Sequence, residues 1–256
     1  MVCASHDAWT LWLLGYPDQG LARNVEAVSL AQQSAYPFSL SFALNFAAGF
    51  HQLRREVPSA QAYTEASISV ATAQGFPFWR VRGALLHGWA LVQQGQAQEG
   101  IEQLTQGLTA YRATGGEIGR PYFLALLAEA HGTLGQPEAG LTALSEALAL
   151  VDKTGERWYE AELYRLKGEL LSQQNSDNQT EAESCFQHAI RIAQNQSAKS
   201  WELRAATSLA RLWQQQGKRQ EAHDLLAPVY NWFTEGFDTA DLQDAKVLLN
   251  ELEDGR

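Results

Sequence analysis

Side chains that usually carry nucleophilic or metal chemistry are few and dispersed in this sequence. Cys3 and Cys185, its two cysteines, lie far apart and outside any CxxC pattern, so neither a disulfide framework nor a thiolate metal site is expected. The six histidines (His6, His51, His87, His131, His188 and His223) are scattered along the chain. His51 and His131 occupy equivalent positions two repeats apart, too distant to chelate one ion. G-x-S-x-G, H-E-x-x-H, EF-hand loops and dinucleotide-binding glycine patterns are absent. The string GGEIG, Gly115 to Gly119, follows a helical run instead of a strand and reads as a turn. Glu129 and Glu169 could be pictured as a general-acid pair, but helix surfaces bring carboxylates together often. The expectation is a chain that is not an enzyme, with no cofactor and no metal.

The arginines, glutamates and aromatics are more informative. Glu162, Arg165 and Glu169 are spaced by three and four positions, so on a helix they pair along one face, at roughly 0.2–0.5 kcal/mol per pair. A solvated ion-pair face is one reading of them, and a partner-binding surface is the other. Most of the eight tryptophans fall at helical spacing inside apolar runs. Core packing is one reading of these, and contact with a partner in an exposed groove is the other.

The elements that must position these groups come from an internal repeat. The turn strings GYPDQG from Gly15, GQAQEG from Gly95, GQPEAG from Gly135 and GKRQEA from Gly217 resemble one another. Gly95 and Gly135 stand one step apart, Gly15 and Gly95 two such steps, and the intermediate step lands on Arg55 in REVPSA. Gly135 and Gly217 are separated by slightly more than two steps, and the surplus fits the polar loop QQNSDNQ, Gln173 to Gln179. Small residues recur five positions after each turn start (Gly20, Ala60, Gly100, Gly140, Ala182, Ala222) and twelve before those (Ala8, Ala48, Gly88, Ala128, Gly168, Ala210). Apolar residues recur eight further on, from Val28 to Tyr230. Such columns let paired antiparallel helices approach to roughly 8–10 Å. Runs such as FWRVRGALLHGWALVQQ and EAGLTALSEALALVDKT carry apolar residues at three and four, and no alternating strand pattern competes.

The predicted fold is all-α. It is a tetratricopeptide-type solenoid, a right-handed superhelix of about six helix-turn-helix repeats with a period of roughly 40 residues. The repeats are placed at about 1–36, 37–76, 77–116, 117–156, 157–197 and 198–236, with a capping helix at 238–253 starting from Asp238 or Thr239. Leu242, Ala245, Leu248, Leu249 and Leu252 would cover the last repeat. The first repeat opens with Trp9, Trp12, Leu13 and Leu14 and no polar cap. Its face is expected to need a cover, from upstream chain or from a partner.

Composition narrows the function. Of the 256 residues 45% are hydrophobic, and the net charge is −10. Nucleic acid and anionic membrane surfaces both require clustered cations and are disfavoured. No membrane-length apolar run and no signal peptide pattern exists, and a reducing cytosol is the expected location.

LWLLGYPDQG, GFPFWRVRGALLHGWAL, GRPYFLALLAEAHG, GERWYEAELYRLKGELL and the long string SLARLWQQQGKRQEAHDLLAPVYNWFTEGFDTADLQDAK resemble the C-terminal tetratricopeptide region of large bacterial signalling proteins. In those proteins a class III nucleotide cyclase or kinase domain precedes a STAND-type AAA ATPase and then the repeats. The resemblance implies a regulatory or sensor arm. The sequence has no G-x-x-x-x-G-K-[ST] loop and no cyclase region, so neither nucleotide activity carries over. The chain is a fragment or a stand-alone relative.

In tetratricopeptide solenoids the first helix of each repeat lines the concave face. That register points Phe42, Asn45, Arg82, Trp89, Tyr122, Glu129, Glu162, Arg165, Glu169, Arg204 and Arg211 into a groove, apolar early and charged late. An extended or helical peptide with an apolar part and a charged part would fit it. The expected partner is a protein or peptide, including an upstream ATPase or cyclase region of the same polypeptide. Two other readings stay open: a small-molecule sensor with its ligand inside the superhelix, and homo-oligomerisation through Trp9, Trp12 and Leu13 of the first repeat.

Overall fold

In a computed structural model, which describes residues 1–254, the chain forms thirteen α-helices among the described residues. They are α1 (Val2–Leu13), α2 (Pro17–Gln33), α3 (Pro37–Leu53), α4 (Val57–Ala73), α5 (Pro77–Gln93), α6 (Ala97–Ala113) and α7 (Arg120–Thr133). After these come α8 (Pro137–Thr154), α9 (Glu160–Gln174), α10 (Gln179–Asn195), α11 (Lys199–Gln215), α12 (Arg219–Tyr230) and α13 (Ala240–Asp254). Pro17, Pro37, Pro77 and Pro137 each open a helix, where a missing N–H costs nothing and the fixed φ suits the first turn.

The turns repeat more finely than the sequence period suggests. A left-handed residue ends a helix at Gly15, Ala35, Arg55, Gly75, Gly95, Gly115, Gly135 and Gly155, twice in every period, and the series resumes at Ser197 and Gly217. The amide after most of these residues reaches back five positions, as in Gln96 N–H to Leu91 O at 3.0 Å and Glu56 N–H to His51 O at 2.9 Å. This closes the helix end in a Schellman arrangement. The amides after Ala35 and Gly155 donate instead to the hydroxyls of Ser34 and Thr154. Most helices in the series are 17 residues long, so within-repeat and between-repeat turns share one geometry.

Each odd-numbered helix up to α11 pairs with the next even one, and the small columns meet where they do. A Cβ on Gly100 would lie 2.6 Å from the Gly88 carbonyl, and one on Gly140 would lie 3.0 Å from the Ala128 carbonyl and 2.7 Å from Leu170 Cδ1. Gly140→Leu should therefore cost about 1–3 kcal/mol by overpacking. A midpoint unchanged in thermal denaturation would remove that crossing as a determinant of stability.

The odd-numbered helices line the inside of the solenoid, and that lining closes on itself. Helix α1 touches α3, α3 touches α5, and so on to α11, which touches α1. The final contact joins the end of α1 to the start of α11. Trp12 stacks edge-on to Trp201 with ring centroids 4.8 Å apart, and the Ser200 hydroxyl donates to Trp12 O at 2.5 Å. The WFTEGFD segment completes the seal. Glu235 accepts from the first amides of α2, Asp18 N–H at 3.0 Å and Gln19 N–H at 3.1 Å, while Gly236 N–H donates to Asp18 at 3.0 Å. A carboxylate at a helix N-terminus meets both unpaired donors and the positive end of the dipole.

The first repeat is thus covered from within. Trp12 is 2% exposed, Trp9 and Leu13 are half-buried, and Trp9 packs on Phe46 and Trp158. This corrects the expectation that Trp9, Trp12 and Leu13 stand open for self-association, because the later repeats of the same chain occupy that face. Helix α13 lays Leu242, Ala245, Leu248, Leu249 and Leu252 into the core formed with α11 and α12. The Thr239 hydroxyl donates to Gly236 O at 2.6 Å, which stabilises the loop before α13. Among the described residues no helix is long and apolar enough to cross a membrane.

Candidate functional site

Closure of the inner helices turns the expected groove into two distinct parts. Toward one end the lumen is filled by aromatics from facing helices. Trp9 lies 5.4 Å from Trp158 and 6.1 Å from Tyr122, and Tyr122 lies 5.5 Å from Trp158, centroid to centroid. Phe46 packs on Trp9 at 5.3 Å, and Trp9 Nε1–H donates to Phe46 O at 3.0 Å. The Tyr122 hydroxyl donates across the lumen to Gln52 Oε1 at 2.7 Å. Burial pushes the pKa of both Tyr122 and Tyr159 upward, so each stays a neutral phenol.

Four of the sequence-predicted groove residues belong to this packed region. Phe42 stacks on Phe46 at 4.3 Å. Asn45 Oδ1 accepts from Arg82 Nε at 3.0 Å. The Arg82 guanidinium is buried against the rings of Phe123, Phe78, Trp79 and Phe46 at 5.2–6.0 Å, and Tyr122 plugs the axis. An arginine held by ring faces is satisfied by the aromatic quadrupoles. Phe42, Asn45, Arg82 and Tyr122 are therefore brought together, but on one another, and the expected apolar half of the groove is filled.

Beyond the aromatic plug lies a partly enclosed cavity of about 200 Å³. Trp89, Glu129, Glu162, Arg165, Glu169, Arg204 and Arg211 all line it. The sequence reading missed Gln52 on α3, Gln93 on α5, Tyr159 just before α9, and Thr207 and Ser208 on α11. It also missed Arg55, which follows α3, and Asp241 and Asp244 in the first turns of α13. Helix α13 closes the wall here, because α1 sits at the level of the plug. One signal was legible: Arg55 holds the left-handed turn position (φ 61°) that Gly15, Gly75, Gly95 and Gly135 hold elsewhere. A side chain kept at a position that favours glycine suggests that the side chain is needed.

The charges of the cavity are extensively matched. Arg165 forks onto Glu162 at 2.7 and 2.8 Å, and its other nitrogen reaches Glu169. Ser208 Oγ donates to the same Glu169 oxygen at 2.9 Å. Arg204 donates to Asp241 at 2.9 Å and to Leu53 O at 2.5 Å, lies 3.5 Å from Glu162, and stacks on Trp12 and Trp201 at 5.1 and 5.0 Å. Arg55 reaches Asp241 at 3.3 Å and Asp244 at 2.7 Å. Burial works against the ionised forms, but the partners outweigh it: Arg165 and Arg204 are raised, and Asp241 is held below its ordinary range by Arg204 and Arg55.

Glu129 is the exception. Its carboxylate takes a hydrogen bond from Gln93 Nε2 at 3.3 Å, and no cation among the described residues lies within ion-pair distance. Burial, together with the neighbouring Glu162 and Glu169, raises its pKa above the normal glutamate value despite Arg165. A carboxyl raised in the folded state stabilises below its unfolded pKa, and that contribution is lost as pH climbs through the folded value. Glu129→Gln should therefore melt at a higher temperature than the parent at pH 8 and at nearly the same temperature at pH 4. An identical difference at both values would show that Glu129 ionises as freely as in water.

The remaining chemistry-bearing groups stay apart. His51 hydrogen-bonds Glu56 at 2.5 Å, His131 bonds Gln136 at 2.9 Å, and Cys185 is buried while Cys3 is exposed. No cluster of three His, Cys, Asp or Glu suited to a metal ion occurs among the described residues.

Comparisons with known proteins agree with the architecture. No family model matches the chain. It is similar to an uncharacterized protein of Rhizobium meliloti (strain 1021), 24% identical over 214 residues that make up 80% of this chain and 20% of the relative. The chain spans about a fifth of that relative's length. Aspartyl phosphate phosphatase F from Bacillus subtilis superposes with a TM-score of 0.63 at 16% identity, over 89% of this chain and 58% of the phosphatase. BtubC (BKLC) from P. vanneervenii superposes with a TM-score of 0.56 at 17% identity, over 91% and 88% of the two chains. With the helix pairing described above, these likenesses show the fold, an all-α solenoid of tetratricopeptide type.

Proposed function

We propose that this chain is a non-catalytic recognition module, the regulatory C-terminal arm of a bacterial signalling ATPase or nucleotide cyclase working in the cytoplasm. It would hold a charged segment of a protein partner at the lumen cavity. The observation that carries this reading is the cavity itself: a recess in a closed helical wall, lined by Arg55, Arg165, Arg204 and Arg211 together with five carboxylates. A wall of mixed charges suits charged, hydrogen-bonding side chains of a partner. The larger context is supported by the resemblance of its strings to cyclase- and ATPase-linked repeat regions, and a place within a longer polypeptide by the much longer relative from Rhizobium meliloti.

The mode of recognition differs from the open groove. A helix with its side chains is about 10–12 Å wide, and the plug of Trp9, Phe46, Tyr122 and Trp158 takes the space it would need. An extended segment inserting one or two side chains fits instead. A positional-scanning hexapeptide library presented to the chain tests this. Binding that is altered by Arg211→Glu, a half-exposed cavity residue, is the expected result, and an occupant that brings a cation should bind more tightly to that variant. No binder at all, or binders indifferent to Arg211→Glu, would defeat it.

The size of the cavity favours one second reading. At about 200 Å³ it also matches a free metabolite, which would raise the melting temperature according to RT ln(1 + [L]/Kd).

A further inference from the structure

Resting on that reading of the cavity, we propose that its occupant is a cationic amino or guanidinium group seated beside Glu129 and Trp89. The two residues stand one repeat apart, at the same repeat position on the adjacent helices α5 and α7. Both face the cavity, and Gln93 joins them one turn further along α5.

Charge matching supports a cation. Glu162 and Glu169 are engaged by Arg165, and Asp241 and Asp244 by Arg55 and Arg204. Glu129 is left with an amide hydrogen bond alone, and burial, with Glu162 and Glu169 nearby, raises its pKa although Arg165 and Arg204 pull the other way. An incoming cation would supply the counter-charge and draw the acid into its ionised form.

Trp89 gives an independent observation. It is 2% exposed, and its indole N–H finds no acceptor among the described residues. Buried donors are nearly always satisfied. A carbonyl or carboxylate carried close behind the cation, as in an amino acid residue, would satisfy this one, while the ring face offers the cation its negative quadrupole.

The protein also contains its own example of the arrangement. Arg204 lies on Trp12 and Trp201, pairs with Asp241, and donates to the last carbonyl of α3 at Leu53. Tryptophan, carboxylate and a helix C-terminus together hold that guanidinium, and helix C-termini favour cations. Trp89, Glu129 and the end of α5 at Gln93 repeat the same three components around an open space. A volume near 200 Å³ corresponds to about seven waters at ~30 Å³ each, room for one long side chain.

Calorimetric titration of the intact chain with agmatine, free arginine and an arginine-centred hexapeptide tests the proposal, with N-acetylglutamate amide as the anionic control. The cationic probes should bind, the control should not, and Glu129→Gln should weaken binding at least tenfold while remaining folded. Trp89→Phe, which keeps an aromatic face, though a smaller one, and removes the N–H, should weaken the arginine probes more than agmatine, because agmatine has no carboxylate or carbonyl. A hexapeptide tenfold tighter than free arginine would make the natural source a protein side chain, and equal affinities would make it a small amine. Binding of the anionic control in place of the cations would overturn the cation assignment and leave the recognition cavity standing. No binding by any probe, together with an empty peptide library, would overturn both.

Discussion

Arg204→Ala should be among the most damaging single substitutions in the molecule, costing about 3–5 kcal/mol, the range for removing one partner of a buried ion pair. For a chain of this size that corresponds to a fall in melting temperature on the order of 10 °C. The side chains of Arg204 and Asp241 are each 10% exposed, and Glu162 and the Leu53 carbonyl also turn toward the guanidinium. Alanine leaves Asp241 with only the longer contact to Arg55, Glu162 with Arg165 alone, and the end of α3 without its cation. It also uncovers the faces of Trp12 and Trp201 that the guanidinium packs against. The damage should depend on pH. Asp241 has a depressed folded pKa, so its contribution is present above the unfolded value near 3.9 and is lost as pH falls through the folded one. The gap between parent and variant should be wide at pH 7 and narrow toward pH 3. Chemical denaturation at several pH values reads this directly, and a gap constant with pH would show that the ion pair is not what Arg204 contributes.

Trp201→Ala should cost a comparable amount, about 3–5 kcal/mol for truncation of a buried aromatic, and should have a consequence that other core truncations lack. Trp201 is 1% exposed, stacks edge-on to Trp12 at 4.8 Å and to Tyr159 at 5.0 Å, and donates its indole N–H to Trp158 O at 3.1 Å. It therefore joins the first helix, the plug and the last repeat. Without it α1 loses its main apolar contact on α11, and the closed wall should loosen into an open solenoid. Small-angle scattering should then report a larger radius of gyration, alongside a lower melting temperature. Leu104→Ala, buried between α5 and α6 away from the closure, is the control: it should destabilise without expansion. Equal radii for both variants would show that closure does not depend on the Trp12–Trp201 stack.

Several features of this protein were readable because they are local. Small residues such as Gly88, Gly100, Ala128 and Gly140 recur in step, and each acts between two consecutive helices. Helical hairpins, their period and the capping role of Leu242 to Leu252 follow from nearest neighbours, which dominate repeat folds. The register of Trp89, Glu129, Glu162, Arg165, Glu169, Arg204 and Arg211 toward the axis was legible for the same reason.

Phe42, Asn45, Arg82 and Tyr122 share that register and yet contribute to a plug, because what fills the axis depends on how far apart facing helices are. That distance is a sum of small rotations over successive repeats, and no single repeat encodes it. The sum brings α11 onto α1, covers Trp9 and Trp12, and puts Asp241 and Asp244 of α13 opposite Arg55. The amino-acid sequence alone determined that helical hairpins stack and which of their faces looks inward. Only the tertiary structure decided that the stack closes on itself, since closure is a long-range consequence of many short-range packing angles. The same closure leaves Glu129 without a cationic partner in the cavity.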